Sequence, residues 1–146
     1  SGCFFAQDAE GVLAEGNQGI HPIPYLKTAP YPGFPTDAQS LFLTLLSRAH
    51  GESILCETVF ENRFQMIPYL KKMGADIDTV AKCAYINGVT KLHGETVQAT
   101  DLRSGAAILL AGAMAEGETI VQQAENILRG YENPIQNMRN IGLCVH

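Results

Sequence analysis

Two acidic steps stand where chemistry could be done. Thr36-Asp37 leads one apolar stretch and Thr100-Asp101 leads another, so each carboxylate falls in the first turn of an expected helix. Free backbone N–H groups and the helix dipole there favour an anion or bind a polar ligand. The plainer alternative for Asp37 is that it only complements its own helix dipole. Three arginines, Arg63, Arg103 and Arg129, each follow or open a helix at the end of a repeated unit. A guanidinium is a planar fork of donors that matches carboxylate or phosphate, and helix ends can converge. Taken singly, each arginine is more simply explained by a solvated surface pair.

Asp37 is the best anchored of these groups. It lies in Tyr31-Pro32-Gly33-Phe34-Pro35-Thr36-Asp37-Ala38-Gln39. The prolines lack a backbone donor and break the preceding strand. Thr36 with Gln39 three residues on spells a capping box. Ala38, Leu41, Phe42, Leu45, Leu46 and Ala49 then form a helical stripe that Gly51 stops. The second step opens a helix with apolar positions Leu102, Ala106, Leu109, Leu110 and Ala113. Gly105, Ala107, Ala111 and Gly112 keep it thin, so it is expected to be enclosed on every side as far as Gly117.

Elsewhere the pattern alternates. Strands are expected at residues 3–7 and 11–14 around the turn Asp8-Ala9-Glu10, followed by a polar link from Glu15 to Gly19. Further strands are expected at 23–28, 53–59, 75–80, 83–87, 94–99 and 118–123, and one starts at Leu143. A second helix ends at Met73-Gly74, with Pro68 in its first turn, and a last one follows Gly130-Tyr131-Glu132-Asn133-Pro134. Gly51-Glu52-Ser53-Ile54 returns as Gly117-Glu118-Thr119-Ile120, Met73-Gly74 as Ile141-Gly142, and Arg63 roughly as Arg129. The chain is therefore a repeat whose period exceeds the ~50 residues of common solenoids. Each copy reads strand, helix, strand, helix, strand, strand. Residues 1–27 are expected to end a preceding module, 28–92 to form a complete one and 93–146 an incomplete last one. On that reading the sequence starts and stops inside modules, as a piece of one larger domain.

Bulk properties narrow the class. The chain has 146 residues, 46% hydrophobic and 17% charged, as in a globular domain with a real core. A net charge of −5 without a basic run argues against nucleic acid as a partner. No apolar stretch approaches the ~18 residues of a membrane helix, so no membrane partner is expected. The amino terminus lacks the basic region of a signal peptide. Cys3, Cys56, Cys83 and Cys144 are scattered without metal-ligand spacing, so reduced thiols in a cytoplasmic protein and no metal are expected.

Six strings carry a resemblance: Pro30-Tyr31-Pro32-Gly33-Phe34-Pro35-Thr36-Asp37, Glu57-Thr58-Val59-Phe60-Glu61-Asn62-Arg63-Phe64, Met73-Gly74-Ala75, Ala99-Thr100-Asp101-Leu102-Arg103, Ala115-Glu116-Gly117-Glu118-Thr119 and Arg129-Gly130-Tyr131-Glu132. In this order the chain from about Thr28 on resembles the carboxyl-terminal part of the UDP-N-acetylglucosamine 1-carboxyvinyltransferases (MurA), a family of enolpyruvyl transferases. The resemblance implies an α/β (α+β) fold, an inside-out barrel of repeated βαβαββ modules with helices inside and sheets outward. It implies transfer of enolpyruvyl from phosphoenolpyruvate to the 3-hydroxyl of UDP-N-acetylglucosamine, the first committed step of peptidoglycan synthesis, with no cofactor.

By motif, the resemblance makes Asp37, Asp101 and Arg129 catalytic. Asp37 faces the sugar hydroxyl, the Val59 backbone contacts the nucleotide sugar, and Arg103 and Arg129 hold the phosphoenolpyruvate anion. Arg63 and Asp101 line the cleft, and Leu102 lies at the substrate. The family's reactive-Cys loop and amino-terminal Lys-Asn have no counterpart in this sequence, so the missing amino-terminal half is an implied partner and the chain alone is expected to be inactive. Two alternatives remain. One is a shikimate-type enolpyruvyl transferase, which shares the module but not the F-P-T-D and E-N-R-F strings. The other is a binding or assembly module of the same fold without catalysis.

Overall fold

The computed structural model describes residues 4–7, 9, 11–15 and 19–146. Cys3, Asp8, Glu10 and most of the Glu15–Gly19 link lie outside the described residues. Strands β1 (Phe4–Gln7) and β2 (Val12–Glu15) form an antiparallel pair.

The first repeat builds the largest sheet. Its elements are β3 (Leu26–Lys27), α1 (Gln39–Leu46), β4 (Glu52–Cys56), α2 (Ile67–Lys72), β5 (Asp76–Val80) and β6 (Cys83–Asn87). The strands lie in the order β3-β4-β6-β5, with β3 parallel to β4 and β6 antiparallel to both neighbours. Pro68 sits in the first turn of α2, where a missing N–H costs nothing, and Gly74 turns the chain out at φ +94°. The short strand β7 (Leu92–His93) follows.

The second repeat continues with β8 (Thr96–Gln98), α3 (Leu102–Met114), β9 (Ala115–Glu116), β10 (Ile120–Gln122), α4 (Glu125–Leu128) and α5 (Pro134–Asn140). β8 and β10 run parallel, as do β7 and β9. The last helix, α5, opens at Pro134 as expected, the short α4 before Arg129 has no counterpart among the expected elements, and no regular strand forms from Leu143 on.

Helices α1 and α3 pack against one another. Leu43, Leu46, Leu55, Met66, Leu70, Met73, Ile77, Ile86, Leu92, Val97 and Ile108 are almost fully buried, each worth roughly 1.5–3 kcal/mol of apolar burial.

Several expectations are corrected. The deeply buried face of α1 is Gln39, Ser40, Leu43, Thr44 and Leu46, while Leu41, Phe42 and Leu45 are only half-buried. Helix α3 buries Ser104, Gly105, Ala107, Ile108 and Ala111, with Gly105 set against Ile127 of α4. The helix α1 ends at Leu46, well before Gly51, and in the turn that follows the Ser47 hydroxyl donates to the Thr44 carbonyl at 2.6 Å. Helix α3 is not enclosed on every side: Leu109 and Leu110 are half-buried and Ala113 is exposed.

The capping box does not form. Thr36–Ala38 make a 3-10 turn whose side chains offer no cap bond, and the Thr36 hydroxyl goes elsewhere. Cys56 and Cys83 are not free thiols but a disulfide, because the β4–β6 register sets them directly opposite. Cys144 is free and exposed. Among the described residues no group of three or more His, Cys, Asp or Glu could hold a metal, and no helix is long and apolar enough to cross a membrane.

Candidate functional site

The two Thr-Asp steps are brought to one edge by the packing of α1 on α3, but they are used differently. Asp101 is the N-cap of α3. Its carboxylate accepts the N–H of Arg103 at 2.8 Å, the N–H of Ser104 at 3.1 Å and the Ser104 hydroxyl. Burial pushes its pKa up. The Ser104 hydroxyl, the two N–H groups and the charge of Arg63 outweigh this and hold it below the usual aspartate value. Asp37 caps nothing. Its carboxylate reaches across to the Arg103 Nε instead.

That ion pair is open to water, with the Asp37 side chain 67% and the Arg103 side chain 39% exposed. Such a pair adds at most about 1 kcal/mol to stability. The pair sets a carboxylate and a guanidinium side by side at this edge.

Arg63 comes to this edge by another route. It follows Asn62, whose φ of +57° turns the chain, and its guanidinium lies 4.6 Å from the centre of the Phe60 ring. Its charge is felt at Asp101. Arg129 is placed by α4. The Asn126 amide donates to the Ala99 carbonyl at 2.7 Å, just ahead of Thr100. Gly130 sits so close to the Leu102 side chain that an added Cβ would meet its Cδ1 at 2.5 Å. Leu102 is thus a packing residue that seats the Arg129 loop on the first turn of α3. The Arg129 side chain is exposed and bonds to none of the described residues.

The remaining expected contact, Val59, lies on the 57–60 loop. Its N–H is already taken by Glu57 Oε1 at 2.7 Å, so only its carbonyl is on offer to a ligand. Glu57 is the group that sequence reading missed. It is 3% exposed, yet its carboxylate pairs with no cation among the described residues. It accepts the Thr28 hydroxyl at 2.8 Å, the Val59 and Phe60 N–H groups at 2.7 and 3.0 Å, and the Thr36 hydroxyl at 2.6 Å. Burial raises its pKa, but these bonds, with that of Thr36 foremost, bring it below the ordinary glutamate value. A Glu ending an apolar strand was the one available signal, since an acid there must find donors.

Chemically, the edge offers the exposed Asp37 carboxylate paired with Arg103, the Arg63 guanidinium against Phe60, and the Arg129 guanidinium, unpaired among the described residues. That set suits an anionic ligand beside a hydroxyl-bearing one. It is an open edge rather than a cavity. A hollow of about 470 Å³ borders it at Glu57, Phe60, Arg63 and Lys82. Another of about 480 Å³ lies away from it, between the far half of α3, β10 and residues 143–146.

The model of the EPSP synthase (3-phosphoshikimate 1-carboxyvinyltransferase) family matches residues 2–138. UDP-N-acetylglucosamine 1-carboxyvinyltransferase 1 of Clostridium perfringens (strain 13 / Type A) is 49% identical over 135 residues, which is 92% of this chain and 32% of that protein. The Legionella pneumophila (strain Lens) protein of the same name is 53% identical over 117 residues, 80% of this chain and 23% of its own. The chain thus spans about a third or less of these two relatives. Among solved structures, the enolpyruvyl transferase NikO from Streptomyces tendae superposes with a TM-score of 0.85 at 25% identity, covering 97% of this chain and 33% of that one. EPSP synthase from Acinetobacter baumannii, at 21% identity and a TM-score of 0.71 over 99% of this chain and 34% of its own, shares the fold.

Proposed function

Because the chain belongs to the EPSP synthase family of enolpyruvyl transferases, we propose that it is the carboxyl-terminal part of a UDP-N-acetylglucosamine 1-carboxyvinyltransferase. The observation that carries this reading is the Asp37–Arg103 pair, a carboxylate freed from helix capping and set against an anion-binding guanidinium. The names and identities of the curated relatives support the nucleotide sugar over shikimate 3-phosphate as acceptor.

In the proposed reaction the sugar 3-hydroxyl forms a C–O bond to the enolpyruvyl carbon, its proton passes to a base, and phosphate leaves. Asp37 is the base, placed within one bond of a group that also faces the donor. Arg103 and Arg129 bind the carboxylate and phosphate of phosphoenolpyruvate, and Arg63 lines the cleft. The Val59 carbonyl contacts the nucleotide sugar. Asp101 acts by holding the first turn of α3, and with it Arg103, in place. Charges act strongly only where water is excluded, and here Asp37 and Arg129 are exposed. The opposite wall of the cleft, with the reactive Cys, therefore belongs to an amino-terminal half. The proposal extends to the module limits 1–27, 28–92 and 93–146, to cytoplasmic location and to a role in peptidoglycan synthesis.

The test is a graft. This chain replaces the matching third of the Clostridium perfringens protein, and phosphate release from phosphoenolpyruvate is followed with either acceptor. Turnover with UDP-N-acetylglucosamine and none from the isolated chain is expected. Turnover with shikimate 3-phosphate instead, or an inert graft that folds, overturns the reading.

A further inference from the structure

We propose that Glu57 is a positioning residue that frees Asp37 from helix capping and holds it at a set distance from the Val59 loop. Its catalytic consequence rests on the transferase reading above. The observation is a difference between the two repeats. In the second, Asp101 folds back to cap α3, and the Thr100 hydroxyl is buried without a partner among the described residues. In the first, the Thr36 hydroxyl is held by Glu57 Oε2, the helix begins with an uncapped 3-10 turn, and Asp37 points out to Arg103.

The same Thr-Asp dipeptide therefore takes two arrangements, and what differs is the acceptor behind the threonine. Glu57 directly follows β4. The residue in that place after β10 is Gln123, which is exposed with φ +56° and makes no bond to Thr100. A threonine hydroxyl bound to a buried carboxylate is a charge-assisted bond, stronger than a neutral one. It holds the Thr36 backbone in a turn from which the Asp37 side chain leaves outward.

Glu57 also gathers the rest of the acceptor side. Oε1 takes the Val59 and Phe60 N–H groups and the Thr28 hydroxyl. Thr28 in turn accepts the Thr58 N–H at 2.8 Å, and the Thr58 hydroxyl donates to the Thr28 carbonyl at 2.6 Å. One carboxylate thus joins the end of β3, the turn that carries Asp37 and the loop that carries Val59. The two groups assigned to the nucleotide sugar are spaced by a single buried side chain. Of the donor-side arginines, Arg129 is placed by α4 without it, while Arg103 stands on α3 and meets it only through Asp37.

Two measurements test this. In the grafted enzyme, Thr36→Val keeps the side-chain shape and deletes the bond. KM for UDP-N-acetylglucosamine should rise about tenfold, the size of one lost bond to a charged group, with a clearly smaller rise for phosphoenolpyruvate, which Arg129 still holds, and Thr36→Ser should restore the parent value. Equal rises in both KM values, or no rise, overturn the proposal. In the isolated chain, where turnover plays no part, the exchange rate of the Arg103 Nε–H with solvent is the readout of the Asp37 bond. Thr36→Val should speed that exchange and Thr36→Ser should not. Unchanged exchange in the valine variant overturns the positioning even if the transferase reading stands. Faster exchange beside an inert parent graft retains the positioning and removes the transferase reading alone.

Discussion

Replacing Asp101 by alanine separates helix capping from catalysis at a residue where the resemblance implied catalysis. The carboxylate satisfies the Arg103 and Ser104 N–H groups at 2.8 and 3.1 Å and the Ser104 hydroxyl. Losing an N-cap of this kind costs about 0.5–2 kcal/mol. Ser104 is only 4% exposed, so its hydroxyl would be stranded, at a further cost of about 1–3 kcal/mol. Asp101→Ala should therefore lower the unfolding free energy of the purified chain by about 2–4 kcal/mol, read from the urea midpoint at constant slope. The folded-state pKa of Asp101 lies below its ordinary 3.8. Its contribution is thus fully present above that ordinary value and is lost as pH falls through the lower folded value. The gap between parent and variant should shrink on acidification. A loss under ~0.5 kcal/mol at neutral pH, or a gap that widens in acid, refutes the capping account. Asp101→Asn retains an acceptor for both N–H groups but cannot take a proton. In the grafted enzyme it should turn over near the parent rate if Asp101 only caps.

The other expectations concern the site and the core. Asp37→Asn in the graft should cut turnover by roughly 10²–10⁴-fold while the isolated chain loses at most about 1 kcal/mol, since an exposed ion pair is all that goes; unchanged turnover removes Asp37 from the mechanism. Arg129→Lys keeps the charge but not the fork, so phosphoenolpyruvate should bind more weakly with little change for the nucleotide sugar; equal losses point to folding. Ile108→Ala should cost about 2–5 kcal/mol, because Ile108 is fully buried, and half-buried Leu109→Ala clearly less; reversed urea midpoints would refute the packing of α3 described above. Reducing Cys56–Cys83 should lower stability by about 2–4 kcal/mol. An unchanged melting temperature with reductant, after mass spectrometry confirms the bond was present, would show that β-sheet register alone holds the strands.

The sequence by itself determined what depends on near neighbours. Apolar spacing marked α1 and α3, Gly74 and Pro68 bounded α2, and the recurrence of Thr-Asp, of Gly-Glu-Ser/Thr-Ile and of a glycine turn revealed two copies of one unit. These signals hold because helix and strand preferences act within a few residues. The Asp37, Arg103 and Arg129 site was legible only as separate residues, through motif resemblance. Tertiary structure decided the rest, because hydrogen-bond acceptors compete and the winner is set by what the fold brings near. Thr36 had a local partner three residues on, as a capping box requires, but the Glu57 carboxylate, 21 residues away, is the stronger acceptor and took it. Asp37 was thereby released to Arg103, 66 residues away, while the same dipeptide at Thr100-Asp101 capped its own helix. Cys56 and Cys83 looked like unrelated thiols until the β4–β6 register set them face to face. Of the expected apolar stripe of α1, Leu46 and Ala49 are buried but Leu41, Phe42 and Leu45 only half so, while Gln39, Ser40 and Thr44 are buried, because which face meets its neighbours is set by tertiary packing, which hydrophobic periodicity does not encode.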